Sequence, residues 1–389
     1  MFKFDKKIID MCKKNYFIIF AVIITILALA VRVALINYQS GDYIEFLSPW
    51  FNDLLIKGGL PGLATYIGNY NAPYMTIMAL LTYIPVNGLF TIKAVSIIFD
   101  FVLALSAGYL VTMLVKNNKK IYGLITYTIV LFMPQIIMNS AMWSQCDSIY
   151  ASFSIIALIL LMKEKYWQSF VFLGISFAFK LQFIFILPVF IIMYVCKNKF
   201  SILHFLIIPV VNLVMCLPVI IMGKPILDIL KVYFEQTTLS DSLVSNYPNI
   251  YMMLNNVQAF KYAGFIVTVV ILALLLFYFI YKKVKWNTDK IMTLALLILV
   301  IVIYTLPGMH DRYLYVGEVL SIVYYLAYKK NLPLVIMVNL NALIIYSIYL
   351  AKFPNNILAP LSIVYGIVII YFVGNALKDI CDSKEVVNE

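Results

Sequence analysis

The run GDYIEFLSPWFND (41–53) sets Asp42, Glu45 and Asp53 beside Trp50, directly after the first long apolar stretch. Acids beside a bilayer are costly, so a chain that keeps them there invites a chemical reading. Asp42 stands in a Gly-led turn, placed to take a proton as a general base, with Glu45 and Trp50 near it to meet a substrate. Its plain alternative is a helix cap or a solvated loop acid. The segment NSAMWSQCDS (139–148) brings Trp143, Gln145 and Asp147 to a second boundary between apolar stretches. A plain reading competes there too: Asp147 or Ser148 as an N-cap, Trp143 as an anchor at the membrane interface.

Cations supply the other half. Lys180, with Gln182 two residues on, lies in the middle of the apolar run 167–196. A lysine there is costly, and snorkelling from the turn of a short hairpin is difficult. PGMHDRYLY (307–315) adds His310, Asp311, Arg312 and Tyr313; apart from Arg32, Arg312 is the only arginine. A guanidinium at that point suits bidentate contact with a phosphate, and pairing with Asp311 or Glu318 is the structural alternative. One base with several cations suits sugar transfer from a lipid phosphate. The acceptor hydroxyl needs one base, the phosphate leaves as a stable anion without a general acid, and cations hold it. A hydrolase would want two matched carboxylates.

The elements that must carry these residues are membrane helices. The chain is 64% hydrophobic and 12% charged, with a mean hydropathy of +0.96, which excludes a soluble core. Spans are expected at 16–37, 89–115, 121–138, 148–162, 167–180, 181–196, 203–222, 260–281, 289–306, 313–328, 332–350 and 356–374. That makes about 12 helices in one all-α, polytopic domain covering 1–389. The first span is too long for a signal peptide's apolar core, and no cleavage site follows it. Lysines cluster between alternate spans, at Lys13 and Lys14, Lys116 to Lys120, Lys163 and Lys165, Lys197 and Lys199, Lys282 to Lys290, and Lys329 and Lys330. The positive-inside rule then puts both termini in the cytoplasm and every motif above on the outer face. It also accounts for the net charge of +11 without a nucleic-acid partner.

Two stretches resist a simple count. Residues 71–86 are apolar but short for a span, and are read as a helix lying on or dipping into the outer face. Residues 167–196 are flanked by lysines at both ends, so they go in and return as two short arms with Lys180 at the turn. The outer face then carries a loop and juxtamembrane segment at 38–88 and a long loop at 223–259. Lys93 and Asp100 share one face of the second span, where they can pair with other spans to hold the bundle. Cys12, Cys146, Cys196, Cys216 and Cys381 form no CxxC pair, so neither a zinc site nor a disulfide framework is legible.

Taken in order, GDYxxFLxPWxxxL, WSQCDSIY, AFKLQ and PGMHDRYLY resemble the bacterial relatives of the GPI-anchor mannosyltransferase II family. These belong to the GT-C class of integral-membrane glycosyltransferases. The resemblance implies a GT-C-like fold with an active site in outer-face loops, inverting transfer from a polyprenyl-phosphate sugar, and a catalytic Asp in the first outer loop, here Asp42. It also implies that Trp143, Gln145, Asp147, Lys180, Gln182, His310 and Arg312 line the site. Where relatives read YPPL, this chain reads NAPYM (71–75) and keeps only Pro73 of the pair. No DxD motif is present, and no metal or other cofactor is expected.

The expected reaction moves a hexose, mannose-type donors favoured, to an extracytoplasmic glycan, cell-wall polymer or lipid. The Ile-, Lys-, Asn- and Tyr-rich composition fits the plasma membrane of a low-GC bacterium, with membrane lipids as further partners. The alternatives are a polysaccharide polymerase or ligase using a polyprenyl-diphosphate donor, and a lipid-linked-sugar flippase or transporter. A flippase would carry polar residues through the bundle to both faces.

Overall fold

The structure, a computed structural model, describes residues 3–238, 242–254 and 256–382. Helix α1 (Lys3–Leu35) ends just before a π-helical turn (Tyr43–Leu47) that runs straight into α2 (Ser48–Ile56). Then come α3 (Ala72–Leu81), α4 (Gly88–Leu114) and α5 (Lys119–Phe132). A 55° bend at Pro134 starts α6 (Pro134–Ile137), which a second π-helical turn (Met138–Met142) continues. Proline's missing N–H and its clash with the preceding turn explain the break. Helices α7 (Asp147–Met162), α8 (Tyr166–Phe179), α9 (Leu187–Lys197) and α10 (Ile207–Ile221) come next. The remainder are α11 (Ile226–Thr238), α12 (Gln258–Tyr281), α13 (Thr288–Thr305), α14 (Tyr315–Tyr328), α15 (Leu332–Ala351) and α16 (Leu358–Cys381).

The protein is an all-α, multi-pass membrane protein. Among the described residues, seven helices are long and apolar enough to cross a bilayer, or eight if the bent α5–α6 pair counts as one span. The expected count of about 12 is therefore not what helix length gives. The difference lies in α7, α8, α9 and α14, which have 16, 14, 11 and 14 residues. At 1.5 Å per residue none reaches the ~30 Å of a hydrocarbon core. In two of them the apolar residues are largely enclosed by protein: most of α7 is buried, including Ile149, Ile155 and Leu158, and most of α14, including Val316, Val319 and Leu320. Helix α3, ten residues long, is likewise too short to cross, as its sequence suggests.

Packing follows the small residues. Helix α4 lies against α5 and α7, and α7 against α8. A Cβ on Gly108 of α4 would stand 2.8 Å from the Gly123 carbonyl of α5, so only glycine permits that approach. Helix α13 sits at the centre, buried on every side from Ile291 to Ile303.

Two polar ties lock the amino-terminal helix. Arg32 on α1 donates from Nε to Asp100 of α4 at 2.7 Å and from its two Nη atoms to the Ala28 and Leu131 carbonyls, with both charged side chains fully buried. Ser140 adds a hydrogen bond to the same Asp100 oxygen at 2.6 Å. Lys93 donates to the carbonyls of Ile36 and Tyr38, holding the end of α1. Both α4 residues thus tie to the chain around α1, and not to each other.

Candidate active site

Two π-helical turns bracket the site, and such turns redirect side chains that a regular helix would stack in line. Asp42 immediately precedes the first, while Asn139 lies inside the second and Trp143 closes it. Ser40 joins the two turns: its Oγ donates to the Trp143 carbonyl at 2.8 Å and accepts from Tyr43 N at 3.1 Å. Between Trp143 and Gln145 the chain turns at Ser144 with φ +66, a left-handed conformation uncommon outside glycine. That turn aims Trp143 and Gln145 at the same carboxylate.

Asp42 is half-buried and held by neutral donors. Its Oδ2 accepts from Trp143 Nε1 at 2.8 Å and from Gln145 Nε2 at 2.6 Å. Its Oδ1 accepts from the Tyr349 hydroxyl, which in turn accepts from Asp42 N at 3.1 Å. Gln145 then reaches the other way. Its Oε1 accepts from Tyr70 at 2.7 Å and from Arg312 Nη1 at 2.6 Å, which fixes the amide's orientation because a flipped NH₂ would face a cation.

Asp147, at the first turn of α7, gathers the cations. Lys180 is bound to Oδ1, and Arg312 Nη1 lies 3.1 Å from Oδ2. Asn139 donates to the same Oδ2 at 2.7 Å and to Tyr346 at 2.8 Å. Lys180 occupies the break between α8 and a short 3-10 turn (Leu181–Phe185), with extended backbone. The break that the sequence places at this lysine is therefore present in the fold. Arg312 also stacks over the Trp143 ring at 4.6 Å. Its Nε lies 3.4 Å from Asp311 Oδ1, an ion-pair contact too poorly aligned for a hydrogen bond, and both atoms are otherwise unpartnered.

The remaining segment 307–315 is tethered from outside. Met309–His310 pairs in parallel with Val244–Ser245 of the long loop, and Gly308 N donates to the Leu243 carbonyl at 2.7 Å. Burial, aided by Arg312 and opposed by Asp42, brings His310 down to about 4, so it is uncharged at neutral pH. Burial pushes Asp311 up to about 6, with Asp42 and Asp147 adding to the rise and Arg312 resisting it.

Asp42, Trp143, Gln145, Asp147, Lys180 and Arg312 thus join one hydrogen-bonded network. Tyr313 lies beside this network, its ring between His310 at 5.2 Å and Phe185 at 5.5 Å, while Gln182 sits in the short turn that follows Lys180. Glu45 is exposed, and no hydrogen bond joins it to the network among the described residues. Trp50 is buried and edge-on to Tyr70, one ring removed from Gln145. Tyr70, Asn139, Tyr346 and Tyr349 are members that sequence reasoning passed over. Only Asn139 lay inside a recognised motif. Among the described residues, no group of three or more His, Cys, Asp or Glu side chains is arranged to hold a metal ion.

Compared with known families and with curated proteins, the chain matches no family model and no curated sequence. The likeness to the mannosyltransferases therefore rests on the four motifs.

Proposed function

We propose that the protein is an inverting glycosyltransferase of GT-C type that moves a hexose from a polyprenyl-phosphate carrier to an acceptor outside the cytoplasm. The observation that supports this best is the link through Gln145: one side chain bridges a lone, neutrally held carboxylate to a pair of cations. Asp42 takes the proton of the acceptor hydroxyl as its oxygen bonds to the sugar's anomeric carbon. The bond from that carbon to the phosphate oxygen breaks, and polyprenyl phosphate departs with the electron pair. Lys180 and Arg312 hold that phosphate, exchanging part of their hold on Asp147 for the ligand. Arg312 Nε, buried without an acceptor, is a donor ready for a phosphate oxygen.

One observation favours the flippase alternative. Polar side chains continue inward from the site: Glu318 and Asn341 are buried in α14 and α15, each with unpartnered oxygen. The test is purified protein in nanodiscs, offered polyprenyl-phosphate hexoses with alkyl glycoside acceptors, with and without EDTA. Sugar transfer with inverted configuration is the expected result. Absence of transfer, with movement of the lipid-linked sugar across proteoliposomes, would replace this reading with the flippase.

A further inference from the structure

We infer that Tyr349 is the residue that aims Asp42, and that Oδ1 is the oxygen that accepts the acceptor's proton; the inference rests on the transferase reading above. A carboxylate oxygen offers about two acceptor directions. On Oδ2 both are taken, by Trp143 Nε1 at 2.8 Å and Gln145 Nε2 at 2.6 Å. On Oδ1 one is taken by the Tyr349 hydroxyl, which leaves one for a substrate. Proton acceptance is therefore assigned to a single atom.

Tyr349 fixes that atom unusually firmly. Its hydroxyl donates to the carboxylate and accepts from the same residue's backbone N–H at 3.1 Å, so side chain and main chain are held by one oxygen. Its ring lies flat on Trp143, with centroids 3.9 Å apart and planes 9° from parallel. The two aromatic residues that hold opposite oxygens of Asp42 thus brace each other. Tyr38 donates to the Leu350 carbonyl at 2.9 Å, tying the end of α15 to the segment that carries Asp42. Gly41 leaves the room this requires: a Cβ there would stand 3.2 Å from the Tyr349 hydroxyl. Tyr349 acts through Asp42, which makes it a positioning residue.

The experiment uses the full chain in nanodiscs, with short-chain polyprenyl-phosphate mannose, glucose and galactose as donors and octyl glycosides as acceptors. Tyr349→Phe keeps the ring and its stack and loses only the hydroxyl. Turnover should fall roughly ten- to hundredfold, the span expected for losing a hydrogen bond to a charged group, while donor KM stays near wild type. Gly41→Ala, which crowds that hydroxyl, should lower turnover in the same direction by less. Because both act on one bond, the double variant should be no slower than Tyr349→Phe alone. A structural role would instead lower thermal stability and raise the KM values for both substrates. Wild-type turnover in Tyr349→Phe, or losses that multiply in the double variant, overturns the assignment of Tyr349. A wild-type protein that uses none of the donors overturns the transferase reading itself.

Discussion

Gln145 donates to Asp42 at 2.6 Å and accepts from Arg312 at the same distance, so a carboxylate and a guanidinium share one amide. The geometry of each is conditional on the other. A displacement at either end of that amide is felt at both.

Asp42→Asn keeps the shape of the side chain and removes its ability to take a proton. Sugar transfer should fall by roughly 10²- to 10⁴-fold while donor binding persists, since the cations sit on Asp147. Glu45→Gln is the matched control and should cost little, because Glu45 is exposed and outside the network. Transfer rates for the two variants, with donor binding measured separately, decide the matter; a dead Glu45→Gln beside an active Asp42→Asn would reassign the base.

Lys180→Ala and Arg312→Ala should each weaken donor binding by roughly 10- to 150-fold, as loss of a charge-assisted hydrogen bond predicts. Asp147→Asn acts differently. It leaves two largely buried cations without their shared anion, which should destabilise the fold by about 3–5 kcal/mol. Added donor lipid should raise this variant's melting temperature more than that of wild type, because the phosphate supplies the missing negative charge. Equal shifts for both proteins would separate the cations from donor binding.

Asp311 gives the site a pH dependence whose sign is fixed. Its carboxyl titrates near 6, above its unfolded value of about 4, so its ionisation opposes folding: this contribution to stability is present below pH ~4 and is lost as pH rises through 6. A polyprenyl-phosphate sugar is a phosphodiester and stays anionic over this range. As pH falls from 7 to 5, Asp311 loses its charge beside Arg312 and donor affinity should rise, roughly three- to tenfold. His310, already uncharged down to about 4, contributes nothing to this change. Binding measured across that range should be flat in Asp311→Asn; an unchanged slope would locate the titrating group elsewhere.

Orientation is testable apart from chemistry. Asn87 is exposed at the start of α4, and Lys116 and Lys119 lie at the other end of that helix. A single cysteine at position 87 should be labelled by a membrane-impermeant maleimide from outside the cell. Labelling only after the cytoplasmic side is opened would move Asp42 and its network to the inner face.

What the sequence made legible was the rare signal. Charges are scarce in this chain, so Asp42, Asp147, Lys180 and Arg312 stood out, and they meet in one network. The tyrosines did not stand out, because there are 29 of them and type alone says nothing about which reach a carboxylate. Tyr349 lies 307 positions from Asp42, a separation that no local pattern bridges. From the sequence, Glu45 is expected to meet a substrate beside Asp42; it lies within the π-helical turn and is exposed, whereas Asp42 at the head of that turn joins the network. The expected span count exceeds what helix length supports for a related reason. Hydropathy reports removal from water, and burial in protein, as in most of α7 and α14, satisfies it as well as lipid does.

The buried Arg32–Asp100 pair bears on how the protein is made. Arg32 emerges from the ribosome at the end of α1, a helix whose apolar window is only 17% covered by the rest of the protein. Its carboxylate partner arrives 68 residues later. An unpaired arginine in hydrocarbon costs at least about 2.5–3.5 kcal/mol, so α1 released alone would slide until Arg32 reached the headgroups. Its final depth is therefore set only when α4 arrives beside it. Helix α1 precedes α4 along the chain yet takes its final depth only with it, and the segment bearing Asp42, anchored to the end of α1 by Lys93, comes into register in the same event.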